Sequence, residues 1–385
     1  MIHLGIDAFN IKEGGGLTHL TMLLKNTSQK NSSISKMTLW ISAEVALHIE
    51  EKPWLKIISP NWMSKNLLIR LWKRRNMHIE FQREGCDLVF FPGGILASRI
   101  NSRVVPYIAF SQNLLPFQPS EARLFGVISF LRMKMYILAI AQKKAFKNAD
   151  AIVFLTKYAN QVVESFSGLE FKEKIIIPHG IEGRFFCKPK KQRSIESCSI
   201  GKPFKLLYIS VLLPYKHQIE VCSAVKRLRD INLPVEITFI GRTEGSYGDK
   251  FKRYLNNIDP QKEFIKFTGE IPFRELHKVY HCADIFVFAS SCENLPNILL
   301  EAMASGLPIA SSFNGPMPEI LEDGAVYFNP YSVDSIYQTL KKIIVDKKKR
   351  QKIADIAYKR SLSYSWAECA NQTFSFAKYI INKAR

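Results

Sequence analysis

Short runs rich in β-branched and aromatic residues alternate along the chain with longer segments of helical period, and this alternation restricts the fold more than any other feature. In the first half the runs are HLGIDAF, MTLWIS, CDLVFF, RVVPYIAF, DAIVFLT and KIIIP. In the second half they are KLLYISV, VEITFI, FIKFTG, DIFVFA, LPIASS and AVYFN. Strand and helix in this order build parallel sheets covered by helices, so the predicted class is α/β with two Rossmann-like sheets. Residues 187–203, CKPKKQRSIESCSIGKP, are polar and lack an apolar period. They predict a linker between a first domain over 1–186 and a second over 204–365. A length of 385 residues agrees with two cores rather than one.

Composition narrows the partners. Hydrophobic residues make up 47% of the chain, which excludes a disordered protein, and the formal net charge of +20 points to polyanions: nucleic acid, an acidic membrane surface or phosphorylated ligands. No zinc-finger spacing, Arg-aromatic stripe or RNA-binding sheet motif accompanies the charge, so nucleic acid is not expected. The seven cysteines are scattered without a Cys-x-x-Cys pair and predict reduced thiols of a cytoplasmic protein. The start, MIHLGIDAFNIKEGGG, lacks the basic and then apolar pattern of a secretory signal. No uncharged apolar stretch reaches the ~18 residues that span a bilayer, so a soluble or peripherally bound protein is expected.

In open parallel sheets, ligands gather beyond the carboxyl ends of the strands. Three stretches at such ends carry candidate chemistry. After the first strand, Gly14, Gly15 and Gly16 precede an apolar helical pattern; their amides can approach a phosphate or sugar closely, and a flexible turn is the alternative. After KLLYIS, Lys216 opens the next helix, where a cation opposes the helix dipole unless an anion lies nearby; an ordinary surface lysine is the alternative. His217 beside it reads as structural or solvent-facing. In ASSCENLPNILLEAMASGLPIASS, Pro296 suits the first turn of a helix, which places Glu293 in the preceding loop and Glu301 within the helix. Both carboxylates can accept hydrogen bonds from sugar hydroxyls; a solvated loop acid and a buried, satisfied carboxylate are the alternatives.

SSCENLPNILLEAMASGLPIASS followed by GPMPEILEDGAVYFNP resembles the Glu, seven residues, Glu signature of the family 4 retaining glycosyltransferases, which have the GT-B fold. IKFTGEIPFRELHKVYHCADIFVFAS is similar to the segment before that signature, IIIPHGIEGRFF to the close of the first domain and GIDAFNIKEGGGLTHLTMLL to the opening of the chain. The resemblance implies two Rossmann-like domains facing across a cleft, with residues 366–385 forming a terminal helix that packs back on the first. It also implies transfer of a hexosyl-type sugar from a nucleotide diphosphate sugar to a hydroxyl of a saccharide or lipid-linked acceptor, in bacterial cell-surface polysaccharide synthesis, with retention and without cofactor or metal.

By the same resemblance Glu293 binds donor sugar hydroxyls and Glu301 the ribose. Lys216 neutralises the departing diphosphate, and Gly14 to Gly16 with the amides of Asn294, Leu295 and Asn297 complete the clamp. Where many relatives carry His-Asp, this chain has Gln112 and Asn113; glutamine hydrogen-bonds but does not titrate. Where many carry an arginine paired with the lysine, it has Val211, with Arg242 as a candidate substitute. A catalytically inactive sugar-binding scaffold and a nucleotide-sugar epimerase are the alternatives.

Two acid-free basic segments remain. Residues 61–75 hold Lys65, Arg70, Lys73, Arg74 and Arg75, and residues 122–149 hold Arg123, Arg132, Lys134, Lys143, Lys144 and Lys147, all among large apolar residues. They predict peripheral contact with an anionic membrane, or else apolar faces buried in the core with solvated charges.

Overall fold

The computed structural model describes residues 2–27, 34–64, 67–94, 105–126, 129–243 and 245–384. The chain forms two compact units, one from residues 1–122, 127–180 and 365–385, the other from 123–126 and 181–364.

The first unit holds a seven-stranded sheet of β1 (Ile2–Asp7), β2 (Ile34–Trp40), β3 (Leu55–Ile58), β4 (Leu88–Phe91), β5 (Tyr107–Ser111), β6 (Ala151–Phe154) and β7 (Lys174–Ile176). Its order is β3-β2-β1-β4-β5-β6-β7, and every pairing is parallel. β4, β5 and β6 are buried along their whole length. Helices on both faces explain why such strands read as unbroken apolar runs rather than as alternation. β3 is absent from the runs named above. It is an edge strand, half-exposed after its first residue, and its LKII sits in a charged neighbourhood.

The second unit holds a six-stranded parallel sheet of β8 (Phe204–Ile209), β9 (Val235–Ile240), β10 (Ile265–Phe267), β11 (Ile285–Phe288), β12 (Ile309–Ser312) and β13 (Val326–Phe328), in the order β10-β9-β8-β11-β12-β13. In each sheet the chain first adds strands on one side and then crosses to the other. The reversal falls between β1 and β4 and between β8 and β11, and a crevice opens beyond the carboxyl ends at such a point.

Residues 187–203, read as a linker from their polarity, are fastened to the second unit. Cys187 N donates to Ala304 O at 2.9 Å, and Arg193 makes a bidentate pair with Asp284 through Nε to Oδ1 at 2.8 Å and Nη2 to Oδ2. The fully buried Arg350 donates to the carbonyls of Arg193 and Ile343. Polar residues here serve as ties, which composition does not distinguish from solvation.

The helix Trp366–Ala384 lies in the first unit against the helix Gly15–Lys25. It buries Cys369, Ala370, Thr373, Phe374, Ala377, Ile380 and Ile381, an apolar stripe at helical spacing. Gly180 permits the approach, since a Cβ there would stand 2.0 Å from Trp366 N. Among the described residues no helix is long and apolar enough to cross a membrane.

Candidate active site

The second unit's crevice is built by the loops that follow β8 and β11. Tyr208, buried on β8, donates its hydroxyl to Lys216 O, which fixes the loop's end. His217 takes a left-handed conformation with φ 52° and starts the helix Gln218–Asp230. Its Nε2 lies 3.0 Å from Ser291 Oγ, its ring meets Tyr331 edge-on, and Ser291 N donates to Tyr215 O at 2.9 Å. His217 is therefore a buried stitch between the two loops, consistent with the structural role read from the sequence.

The stitched loops bring Lys216 and Glu293 together: Lys216 Nζ donates to Glu293 Oε1 as an ion pair, both side chains being largely buried. Lys216 ends a short 3₁₀ turn, Pro214–Lys216, and the anion that compensates it is Glu293. Such a pair is costly to break from one side, because the remaining charge stays desolvated.

Glu301 is a full turn inside the helix Asn297–Ala304 and buried. It does not meet Lys216; its partner is Tyr280 on the helix Leu276–Tyr280, with the Tyr280 hydroxyl 3.0 Å from Glu301 Oε2 and 3.0 Å from Ile298 O. Burial pushes the Glu301 carboxyl up to about 8, against the Tyr280 hydrogen bond, with the charge of Glu182 acting the same way as burial and Arg184 opposing it. Tyr280 is the donor in both contacts, so its single hydroxyl hydrogen is shared between Glu301 Oε2 and Ile298 O.

Pro296 is the N-cap, with φ −76° and ψ 110°, one residue earlier than the first-turn position expected for it. Asn294 and Leu295 are buried in the loop and Asn297 begins the helix. Leu299 N donates to Pro296 O at 3.0 Å, and the positive end of the helix dipole at this turn favours an anion. Arg242 lies after β9; its carbonyl accepts from Leu212 N at 2.9 Å, which pairs its loop with the one leading to Lys216. Val211 O accepts from Gln218 Nε2 at 3.0 Å.

In the first unit, Gly14 takes φ 70° as the N-cap of the helix Gly15–Lys25. Gly16 lies under Gln112 at the end of β5, and a Cβ on Gly16 would stand 2.8 Å from Gln112 Oε1. The structure thus joins two features that are ninety-odd residues apart in the chain. Gln112 Nε2 lies 2.9 Å from Nδ1 of His19, which is fully buried. With the amide donating, His19 carries its proton on Nε2. Burial drives the His19 pKa well below its ordinary value, aided by His179, so the ring is neutral. His19 stacks on Phe110 at 4.5 Å and on His179 at 4.8 Å, and His179 stacks on Trp366 at 5.3 Å.

His19 was missed in the sequence. Its signal is position, because it shares the buried face of its helix with Leu20, Leu23 and Leu24. Asn113 is exposed and its Oδ1 caps the following turn by accepting from Leu115 N at 3.2 Å.

Comparison with known proteins adds a family match over part of the chain and a fold. Sulfoquinovosyl transferase SQD2 of Arabidopsis thaliana is 28% identical over 49% of this chain and 37% of its own length. Lipopolysaccharide 1,2-N-acetylglucosaminetransferase of Salmonella typhimurium is 27% identical over 51% and 54%. The aligned region thus spans from about a third to about half of the length of these curated relatives. The crystal structure of Anabaena Alr3699/HepE in complex with UDP superposes with a TM-score of 0.69 and 16% identity, covering 98% of this chain and 100% of that one. The chain therefore has the two-sheet GT-B fold, and its residues 190–360, most of the second unit, match the family described as glycosyl transferases group 1.

Proposed function

We propose that the chain is a retaining, metal-independent glycosyltransferase. It moves a hexosyl-type sugar from a nucleotide diphosphate sugar to a hydroxyl of a saccharide or lipid-linked acceptor, in bacterial cell-surface polysaccharide synthesis. The observation that carries this reading is the Lys216–Glu293 pair at the crevice between β8 and β11, inside the segment that matches the family. An ion pair at a ligand crevice offers an exchange: a diphosphate takes the ammonium and sugar hydroxyls take the carboxylate.

In this mechanism the bond between the sugar C1 and the phosphate oxygen breaks as the acceptor oxygen approaches on the same face. The acceptor proton passes to the departing phosphate, and Lys216 with the first-turn amides at Asn297 stabilises the charge that grows there. Glu293 holds sugar hydroxyls. Glu301 receives the ribose hydroxyls and gives up its proton in doing so. Gly14 to Gly16, Asn294 and Leu295 line the donor site, Arg242 supplies a further cation, and Gln112 and Asn113 serve the acceptor side.

The test is release of free nucleotide diphosphate, with uridine diphosphate sugars assayed first because UDP is bound in the Anabaena structure. Release that requires both donor and acceptor supports transfer; conversion of the donor without acceptor, or no release with any pair, rejects it. Proton NMR of the product decides retention. Undiminished turnover in EDTA is expected, and loss restored specifically by Mg²⁺ or Mn²⁺ would refute the metal-free step.

A further inference from the structure

The helix Phe130–Asn148 in the first unit divides sharply between two faces. Ala139, Gln142, Ala145 and Phe146 are buried against the unit. On the opposite side Phe130 is 84% exposed, with Met133, Tyr136, Ile137 and Ile140 all between 55% and 65%. At 100° per residue these side chains fall on one stripe, pointing away from the buried set. Scattered exposed apolar residues are ordinary; a contiguous stripe of five on one helix is not. The same side continues for two turns as Lys143, Lys144 and Lys147, all exposed, while Arg132 and Lys134 border the apolar part. No acid occurs from residue 122 to 149.

We propose that this helix face docks on an anionic lipid surface, its apolar stripe at the acyl boundary and its lysines among the headgroups. Charge decides against the nearest competing occupant. A second copy meeting this face would set one basic, acid-free helix against another, with Arg132, Lys134, Lys143, Lys144 and Lys147 of both copies and no acid on either to offset them. A lipid layer supplies both components at once, apolar depth and negative charge.

The other basic segment contributes less than its composition promised. Lys73 and Arg75 are exposed beside Trp72, but Arg74 turns inward, pairing with the buried Asp7 at 3.5 Å and lying over the Phe9 ring. The expectation that Arg74 belongs to a membrane-facing cluster is corrected, since that guanidinium serves a buried carboxylate.

The experiment is sedimentation of the full chain with phosphatidylglycerol-containing vesicles and with phosphatidylcholine vesicles, at low and high salt. It does not depend on the reaction proposed above. Wild type is expected to pellet with the anionic vesicles, less so at high salt, and to stay in solution with the zwitterionic ones. Ile137→Ser with Ile140→Ser, and separately Lys143→Glu with Lys144→Glu and Lys147→Glu, should each lower the bound fraction about tenfold or more at unchanged melting temperature. A Tyr136→Trp variant should show added emission that shifts to the blue only with anionic vesicles. No pelleting of wild type, equal binding by wild type and both variants, or a dimer in solution that these substitutions dissolve would overturn the proposal.

Discussion

Around Gln112 the first unit gathers groups without charge, whereas the second unit centres its crevice on an ion pair and a buried carboxyl. Two sheets of the same parallel build, each reversing its strand order once, thus present different chemistry. Neutral donors and acceptors orient a hydroxyl at small desolvation cost. A desolvated ion pair holds charge in reserve for a ligand that carries its own. Under the proposed function, the uncharged groups would serve an acceptor hydroxyl and the ion pair a nucleotide diphosphate.

The largest test removes that charge. Lys216→Met is expected to lower kcat by about two to three orders of magnitude, the range for deleting a group that stabilises a developing anion. It should also destabilise the fold by about 3–5 kcal/mol, since Glu293 is left buried alone. Glu293→Gln in the same background should restore melting temperature but not turnover. A rise in KM with kcat unchanged would sink the leaving-group role.

Next is the pH dependence of Glu301. Its folded pKa near 8 exceeds the ordinary carboxyl value of 4.5, so between the two the native state holds a proton that the unfolded chain has lost. Stability from this group is therefore full in acid and falls as pH rises through that window. Glu301→Gln should flatten the fall of melting temperature from about pH 5 to about pH 8. Calorimetry of UDP binding near neutrality, in buffers of different ionisation enthalpy, should show proton release in wild type and none in the variant.

Smaller effects divide the glycines. Gly16→Ala should displace the Gln112 amide and lower turnover about tenfold, because a shift of about 1 Å in a positioning group costs that much or more. Gly15→Ala meets nothing within 4 Å and occupies a helical position, so it should add about 0.5–1 kcal/mol of stability and lower turnover less than Gly16→Ala. Equal effects of the two would remove Gln112 from the site.

Much of this was readable in advance. The buried strands announced themselves as apolar runs because helices cover both faces of each sheet. β3 did not, being an edge strand with little to bury. Lys216, Glu293 and Glu301 were visible as polar groups at strand ends, but which of them meet was not. The Lys216–Glu293 pairing follows from the order of β8 and β11 in the sheet, and the placement of Glu301 against Tyr280 from packing of a helix twenty residues away. His19 was hidden because a histidine among leucines on an amphipathic helix has no distinguishing spacing.

The return of Trp366–Ala384 to the first unit also sets an order of assembly. As the chain leaves the ribosome, residues 181–364 emerge entire before the helix that completes the earlier unit. The stack of Phe110, His19 and His179 waits for Trp366, and the helix Gly15–Lys25 waits with a face uncovered. The second unit has all its parts first, while the first takes in Trp366–Ala384 afterwards. A chain cut after Tyr364 would thus lack a part of the first unit and none of the second, and it is the first that would be exposed to chaperones and proteases.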